Sequence, residues 1–406
     1  MDTEVRQDRV KRDIIPPGST IGVLGGGQLG RMMALAGRAM GYRFVTLDPA
    51  VDSPCGQVAD EQIVAAYNDA GAARMLARKS DVITYEFENV NAEVADMLMQ
   101  ESYVPQGSKL LFKTQNRLRE KAAIEEAGVK VAPYKKIHSE EHLREAVIQF
   151  GTPCVLKTAM GGYDGKGQWV IRSIDEVTEA YETLSKAQTD LVLEQFIQFE
   201  LELSVIAARS PEGEIKVFPV AENIHVDNIL HLSIVPARIS AEIAEQAEKL
   251  AAQIALSMNV FGLIAVEMFL TREGELFVNE LAPRPHNSGH YTMDACLTSQ
   301  FEQHVRAICN LPLSATSLLT PVVMVNILGE HVDPALQWLA NDSTADEQTH
   351  GFTAKVHLYG KKEAKAKRKM GHINLLTPDI EAALAWVNKS KIWNTSELKS
   401  DAEENI

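Results

Sequence analysis

The feature that most constrains this chain is a pair of apolar runs, VEMFL and ELFVNE, joined at Glu273-Gly274. Runs so rich in Val, Phe and Leu on either side of a glycine turn form an antiparallel ribbon. With Glu273-Gly274 as the two central residues of a hairpin turn, counting outward along both strands brings Glu267 directly opposite Glu280. Like charges at such a cross-strand pair are destabilising. A divalent cation that prefers carboxylate and phosphate oxygens, as magnesium does, removes the conflict. The spacing thus predicts a metal site at Glu267 and Glu280. A register slip would instead turn one carboxylate towards solvent.

Two glycine-rich segments lie upstream. The first, Gly25-Gly26-Gly27-Gln28-Leu29-Gly30, follows the β-branched run TIGVLG and precedes a stretch with helical spacing of Leu29, Met32, Met33 and Ala36. It satisfies GxGxxG, and Asp48 ends the next apolar run about where a ribose-binding acid would sit. On its own this reads as a dinucleotide-binding turn, or as a tight turn with no ligand. The second, Gly161-Gly162-Tyr163-Asp164-Gly165-Lys166-Gly167, lies between the strands TPCVLKTA and WVIR. No GK[ST] opens a helix there, so it is a phosphate-covering hairpin and not a P-loop. With Lys157 on the preceding strand, Lys166 suits the phosphates of a nucleotide. A plain hairpin with solvated lysines is the bland alternative, against which stands the backbone-entropy cost of four glycines in seven residues.

Directly after the second carboxylate comes Asn279-Glu280-Leu281-Ala282-Pro283-Arg284-Pro285-His286-Asn287-Ser288-Gly289-His290. Arg284, Asn287 and Ser288 are donors suited to a small oxyanion beside a metal-bound nucleotide. Further on, YGKKEAKAKRKMGH concentrates positive charge in a chain whose net charge is −15. It is either a solvated surface or an anion site built on Lys361 and Arg368. The acidic balance argues against nucleic acid as a partner. No run reaches the length and apolarity of a membrane helix. The four cysteines form no CxxC pair and read as buried free thiols in a reducing cytoplasm.

Strand and helix patterns alternate through a first α/β domain at residues 19–112, after a loose arm at 1–18. A linker helix and small lid lobe follow at 113–192. A strand-rich central lobe with one amphipathic helix spans 193–315, a small C-terminal unit 316–395, and an acidic tail 396–406.

These segments in this order resemble the ATP-grasp superfamily. The strings GGGQLGRM, EFENV, GGYDGKGQ, NELAPRPHNSGHYT and GKKEAKAKRKMGHI are similar to those of the 5-(carboxyamino)imidazole ribonucleotide synthetase family. The resemblance covers about residues 19–390. It implies a mixed α/β and α+β fold: a Rossmann-like N-terminal domain, lid and central ATP-grasp lobes, and a small β-rich C-terminal domain. It implies a homodimer with ATP and magnesium as cofactors, and aminoimidazole ribonucleotide and bicarbonate as substrates. ATP would be held by Arg117, Lys157, Gly162, Tyr163, Asp164, Gly165, Lys166, Gly167 and Gln168, by the hinge Glu194, Gln195, Phe196 and Ile197, and by Glu202, His225, Asn279 and Glu280. Gln28, Glu86, Tyr163, Asp164, Lys361 and Arg368 would hold the ribonucleotide, and Arg284, Asn287 and Ser288 the bicarbonate. Many ATP-grasp chains have Glu-x-Asn on the second metal strand, and here the Asn position is Ala282, which leaves the metal more dependent on phosphate and water. Three alternatives stay open: a formate-dependent glycinamide ribonucleotide transformylase, an NAD-dependent dehydrogenase and a non-catalytic nucleotide sensor.

Overall fold

The computed structural model describes residues 13–88, 90–162, 165–341 and 351–393. The β-branched runs near the N-terminus form β1 (Thr20–Leu24), β2 (Arg43–Leu47), β3 (Glu61–Ile63) and β4 (Val82–Tyr85). They make a parallel sheet in the order β3-β2-β1-β4. Helices such as Gln28–Ala39 and Ala70–Arg78 make the crossovers and bury their apolar faces on the sheet. Residues 13–18 are not loose: Ile15 N–H donates to the Cys309 carbonyl and the Tyr42 hydroxyl to that of Ile15. The rest of the expected arm, and the tail at 396–406, lie outside the described residues.

The linker carries the helix Arg117–Glu126, and a further helix, Gly107–Thr114, precedes it. The break falls at Asn116, whose side chain accepts from the N–H groups of Leu118 and Arg119 and so starts the later helix. A four-stranded antiparallel sheet follows: β5 (Tyr134–Ile137), β6 (Cys154–Thr158), β7 (Gln168–Ile171) and β8 (Leu191–Gln195), in the order β5-β8-β6-β7. Helices Glu140–Phe150 and Val177–Leu184 share its apolar core.

The largest sheet contains β9 (Leu201–Arg209), β10 (Ile215–Val217), β11 (Ala221–Val226), β12 (Ile229–Val235), β13 (Gly262–Leu270), β14 (Leu276–Ala282), β15 (Val322–Leu328), β16 (Thr353–Leu358) and β17 (Lys369–Leu376). Its order is β14-β13-β9-β11-β12-β15-β17-β16, with β10 on β9. The C-terminal strands therefore continue the central sheet through β12 and β15. Helix Ala241–Ser257 packs Ala247, Ala251, Ile254 and Ala255 into the core beneath β9 and β13.

The hairpin between β13 and β14 differs from the expected turn. Its loop is Thr271–Glu275, closed by Gly274 N–H donating to the Thr271 carbonyl and Thr271 N–H to that of Glu275. Near this loop Met268 faces Val278, which would set Glu267 against Asn279. A β-bulge takes up one residue, and beyond it Glu267 faces Glu280.

Candidate functional site

Directly paired strand residues share a sheet face. Glu267 pairs with both Glu280 and Ser204, and Phe269 with Glu202. Glu202, Ser204, Glu267 and Glu280 therefore stand on one face of the central sheet. Burial and the facing Glu280 push the Glu267 carboxyl up to about 7. Two carboxylates are thus opposed, and the neighbouring cationic groups offset their repulsion only in part; beside them the Asn279 Oδ1 is buried without a hydrogen-bond partner. That donor set suits a hard cation completed by phosphate or water oxygens. Among the described residues no group of three or more His, Cys, Asp or Glu side chains is arranged to hold a metal. Ala282, at the expected Asn position, is buried opposite Ala265.

Arg117, at the start of its helix, places Nη1 3.1 Å from Glu280 Oε2. It also links this face to the glycine flap: a Cβ on Gly162 would lie 3.5 Å from Arg117 Nη2. The flap is tied to β6 by Thr158 N–H donating to the Gly167 carbonyl. It reaches the β11–β12 turn, where a Cβ on Gly165 would lie 2.6 Å from the Asn228 Cβ. Gly165, at φ 75°, is in the left-handed region as well, so both space and backbone require glycine. Lys166 lies in the turn that leads into β7, which Gln168 starts. Tyr163 and Asp164 lie outside the described residues.

Lys157, on β6, puts Nζ 2.9 Å from Glu194 Oε2 on β8. Burial raises the Glu194 carboxyl, but Lys157 and Lys121 override it and hold it at about 2. Gln195, Phe196 and Ile197 lead from β8 towards β9, so the hinge segment joins the lid sheet to the central sheet. His225 Nδ1 is 3.0 Å from Glu202 Oε2; burial lowers this imidazole, yet the net shift is upward because of Glu202.

The loop after β14 lies over the same face, since the Ser204 hydroxyl donates to Ser288 Oγ at 2.7 Å. Ser288 is itself buried, and its hydroxyl also contacts His286 Nδ1 at 2.9 Å. It therefore supports His286 and is not an open donor. Asn287 donates to Asn326 Oδ1 at 3.0 Å. Arg284 is paired with Glu88 at 2.6 Å and donates to the Pro285 carbonyl. These contacts use two of the five N–H donors of a guanidinium.

At the first domain, the glycine turn is filled by protein carboxylates. Gly27 and Gly30 donate to the two oxygens of Glu86, and Gly26 to Asp48 Oδ2 at 2.8 Å. Asp48 also accepts from Tyr67 and Ala50, so the expected ribose acid is spent on the fold. A dinucleotide pyrophosphate would need these N–H groups and would meet two carboxylates. Glu86 shapes the turn in the same way: it is only 8% exposed, and each of its oxygens accepts one backbone N–H. Gln28 begins the helix beside it.

The basic loop is not a solvated surface alone. The Gln57 side-chain amide donates to the Gly360 carbonyl, and Lys362 pairs with Asp52 at 3.5 Å. Lys361 Nζ donates to the Lys369 carbonyl and feels the charge of Glu86. Burial, then Arg368, lowers the Lys361 ammonium to about 8. Arg368 donates to the Glu363 carbonyl.

Three residues escape a sequence reading. Lys121, one helical turn after Arg117, lies 3.3 Å from Glu194 Oε1. Lys369 acts electrostatically on Glu267, His225 and His286. His286 Nε2 is 3.2 Å from Glu267 Oε1, and burial followed by Arg284 keeps its imidazole neutral. The i, i+4 relation of Arg117 and Lys121 was a signal for the first; the other two depend on tertiary placement.

An ATP-grasp domain model matches residues 122–301, a ribonucleotide synthetase preATP-grasp domain 19–115, and a phosphoribosylaminoimidazole carboxylase C-terminal domain 322–385. The chain is 52% identical over 367 residues to an N5-carboxyaminoimidazole ribonucleotide synthase of Bacillus subtilis, covering 90% of this chain and 94% of the relative. It is similar to the ADP complex of an N5-carboxyaminoimidazole ribonucleotide synthetase, with TM-score 0.89, 56% identity, and 95% and 99% of the two chains covered. It also resembles the Aspergillus clavatus synthase in complex with ADP and 5-aminoimidazole ribonucleotide, with TM-score 0.83, 31% identity, and 91% and 97% covered.

Proposed function

Because the chain belongs to the ATP-grasp family of N5-carboxyaminoimidazole ribonucleotide synthases, we propose that it uses this site to carboxylate 5-aminoimidazole ribonucleotide with ATP and bicarbonate, as a ligase of purine biosynthesis. The observation that carries the reading is the opposed pair Glu267 and Glu280, joined through Arg117 to the glycine flap.

Glu267 and Glu280 would hold magnesium, with Asn279 beside it. Bound there, the ion would neutralise phosphate charge. Lys157, Arg117 and the flap orient the triphosphate. A bicarbonate oxygen attacks the γ-phosphorus and ADP departs, giving carboxyphosphate. This breaks to CO2 and phosphate, and the exocyclic amine of the ribonucleotide attacks the CO2 carbon, losing a proton to give the carbamate. The chain contributes positioning and charge stabilisation, with no covalent nucleophile. Arg284, with donors left beyond Glu88 and Pro285, and Asn287 suit bicarbonate. Gln28, Lys361 and Arg368 suit the ribonucleotide, its 5′-phosphate lying on the two cations. Flap closure keeps water from carboxyphosphate.

The reading includes a cytoplasmic homodimer. Exposed Leu35 and Leu297 beside Met40 and Met293 form an apolar groove that suits a second copy, and the four buried free cysteines suit a reducing compartment.

The test is ADP release in bicarbonate buffer with and without the aminoimidazole ribonucleotide, and with formate and glycinamide ribonucleotide in their place. ADP and carbamate formation that require the imidazole acceptor are expected. Turnover only with formate and glycinamide ribonucleotide would overturn the reading.

A further inference from the structure

The buried carboxylate of Glu194 has two cations where one would neutralise it. Lys157 approaches Oε2 at 2.9 Å from β6, and Lys121 approaches Oε1 at 3.3 Å from the helix Arg117–Glu126. All three are buried, and Lys121 is only 1% exposed. The Lys121 ammonium nitrogen is closed off from solvent in this arrangement. Its contact with Glu194 also differs in kind. Lys157 donates a hydrogen bond, whereas Lys121 Nζ and Glu194 Oε1 are within ion-pair distance without hydrogen-bond alignment.

The two contacts have different fates once a triphosphate arrives. Lys157 can give its hydrogen bonds to phosphate oxygens only by leaving Glu194 in whole or part. A carboxylate left alone in a buried site is strongly disfavoured. With Lys121 behind it, the carboxylate keeps a partner and can turn its unaligned oxygen into a hydrogen bond. The triad then goes from one negative and two positive charges to a neutral pair, and the released positive charge meets the incoming polyanion.

We propose that Lys121 is a positioning residue for the nucleotide: a fixed counter-ion that holds Glu194 while Lys157 moves onto the triphosphate. The proposal rests on the reading of Lys157 as a triphosphate ligand.

The experiment measures the affinity of the full chain for a non-hydrolysable ATP analogue with magnesium, by calorimetric titration, beside thermal melts. Lys157→Met is the control for the underlying reading; binding equal to wild type would sink that reading and the proposal with it. Lys121→Met is expected to weaken the analogue at least about tenfold, since one partner of a buried pair is removed. Lys121→Arg, which keeps the charge, is expected to stay near wild type. The discriminating comparison is in a Glu194→Gln background, where no carboxylate remains to be stranded. There Lys121→Met is expected to change affinity less than about twofold. It also remains informative if the single variant does not fold, because both charges are replaced by neutral groups. An equally large loss in that background would show that Lys121 acts through packing, and would overturn the proposal. So would unchanged affinity in Lys121→Met while Lys157→Met binds weakly.

Discussion

Glu280→Gln separates the chemical role of the carboxylate pair from its structural one. Structurally, two contributions of opposite sign nearly cancel. The Arg117–Glu280 ion pair at 3.1 Å is lost, but the Glu280 side chain is 43% exposed, so solvent screening leaves it about 0–1 kcal/mol. Repulsion with Glu267 across the ribbon is relieved at the same time, by roughly 0.2–1 kcal/mol. The net change is within about 1 kcal/mol, a shift of no more than roughly 2–4 °C in the melting midpoint. Catalysis has no such compensation. Removing a charge preorganised around the transferring phosphoryl group costs about 3–4 kcal/mol, or on the order of 10²–10³ in turnover. The assay is coupled ADP release at saturating ATP, bicarbonate and ribonucleotide, with a melt of the same sample. Turnover within about threefold of wild type, a change of under 1 kcal/mol, would refute the reasoning. A fall in the midpoint well beyond the stated range would also refute it, by making the pair a structural element.

Other outcomes follow from the ribonucleotide side. The Lys361 ammonium is lowered to about 8 by burial and Arg368, so its charge is present below that pH and is lost as pH rises through it. The KM for the ribonucleotide should then rise above pH 8 by up to about tenfold per pH unit, and Lys361→Arg, which stays charged, should flatten the profile. Arg368→Ala should raise the ribonucleotide KM about 10–100-fold, the loss of a hydrogen bond to a charged group, with the KM for ATP little changed; an equal effect on both would contradict its place. Glu86→Ala leaves the Gly27 and Gly30 N–H groups without their acceptor, which should cost about 2–4 kcal/mol in urea unfolding; a loss under about 0.5 kcal/mol would mean that the turn does not depend on it.

Much of the architecture was legible because periodicity and glycine placement report local structure directly. TIGVLG, the flap and the basic loop stand where their composition put them. What was not legible is which oxygen already has a partner. Nothing in GGGQLG tells that Glu86 and Asp48, distant in sequence, fill the turn. Nor does KAKRKMGH tell that the charge of Lys369 acts on Glu267 while Lys361 feels that of Glu86. Each depends on how separate layers dock, and charge patterning along a chain carries no information about that.

The ribbon shows the subtler case, in which a correct pairing follows from an incorrect turn. A two-residue turn at Glu273-Gly274 sets Glu267 opposite Glu280 with no irregularity. The actual loop, Thr271–Glu275, moves the register by one residue and would put Asn279 there, with Glu280 on the opposite face. The bulge restores the pair, and its extra residue is the Asn279 whose Oδ1 has no partner. Such a bulge loses ladder pairing and sets two carboxylates face to face, a cost that Arg117 and His286 offset only in part. A bound cation with phosphate oxygens would account for both, and this makes the bulge itself an argument for the site.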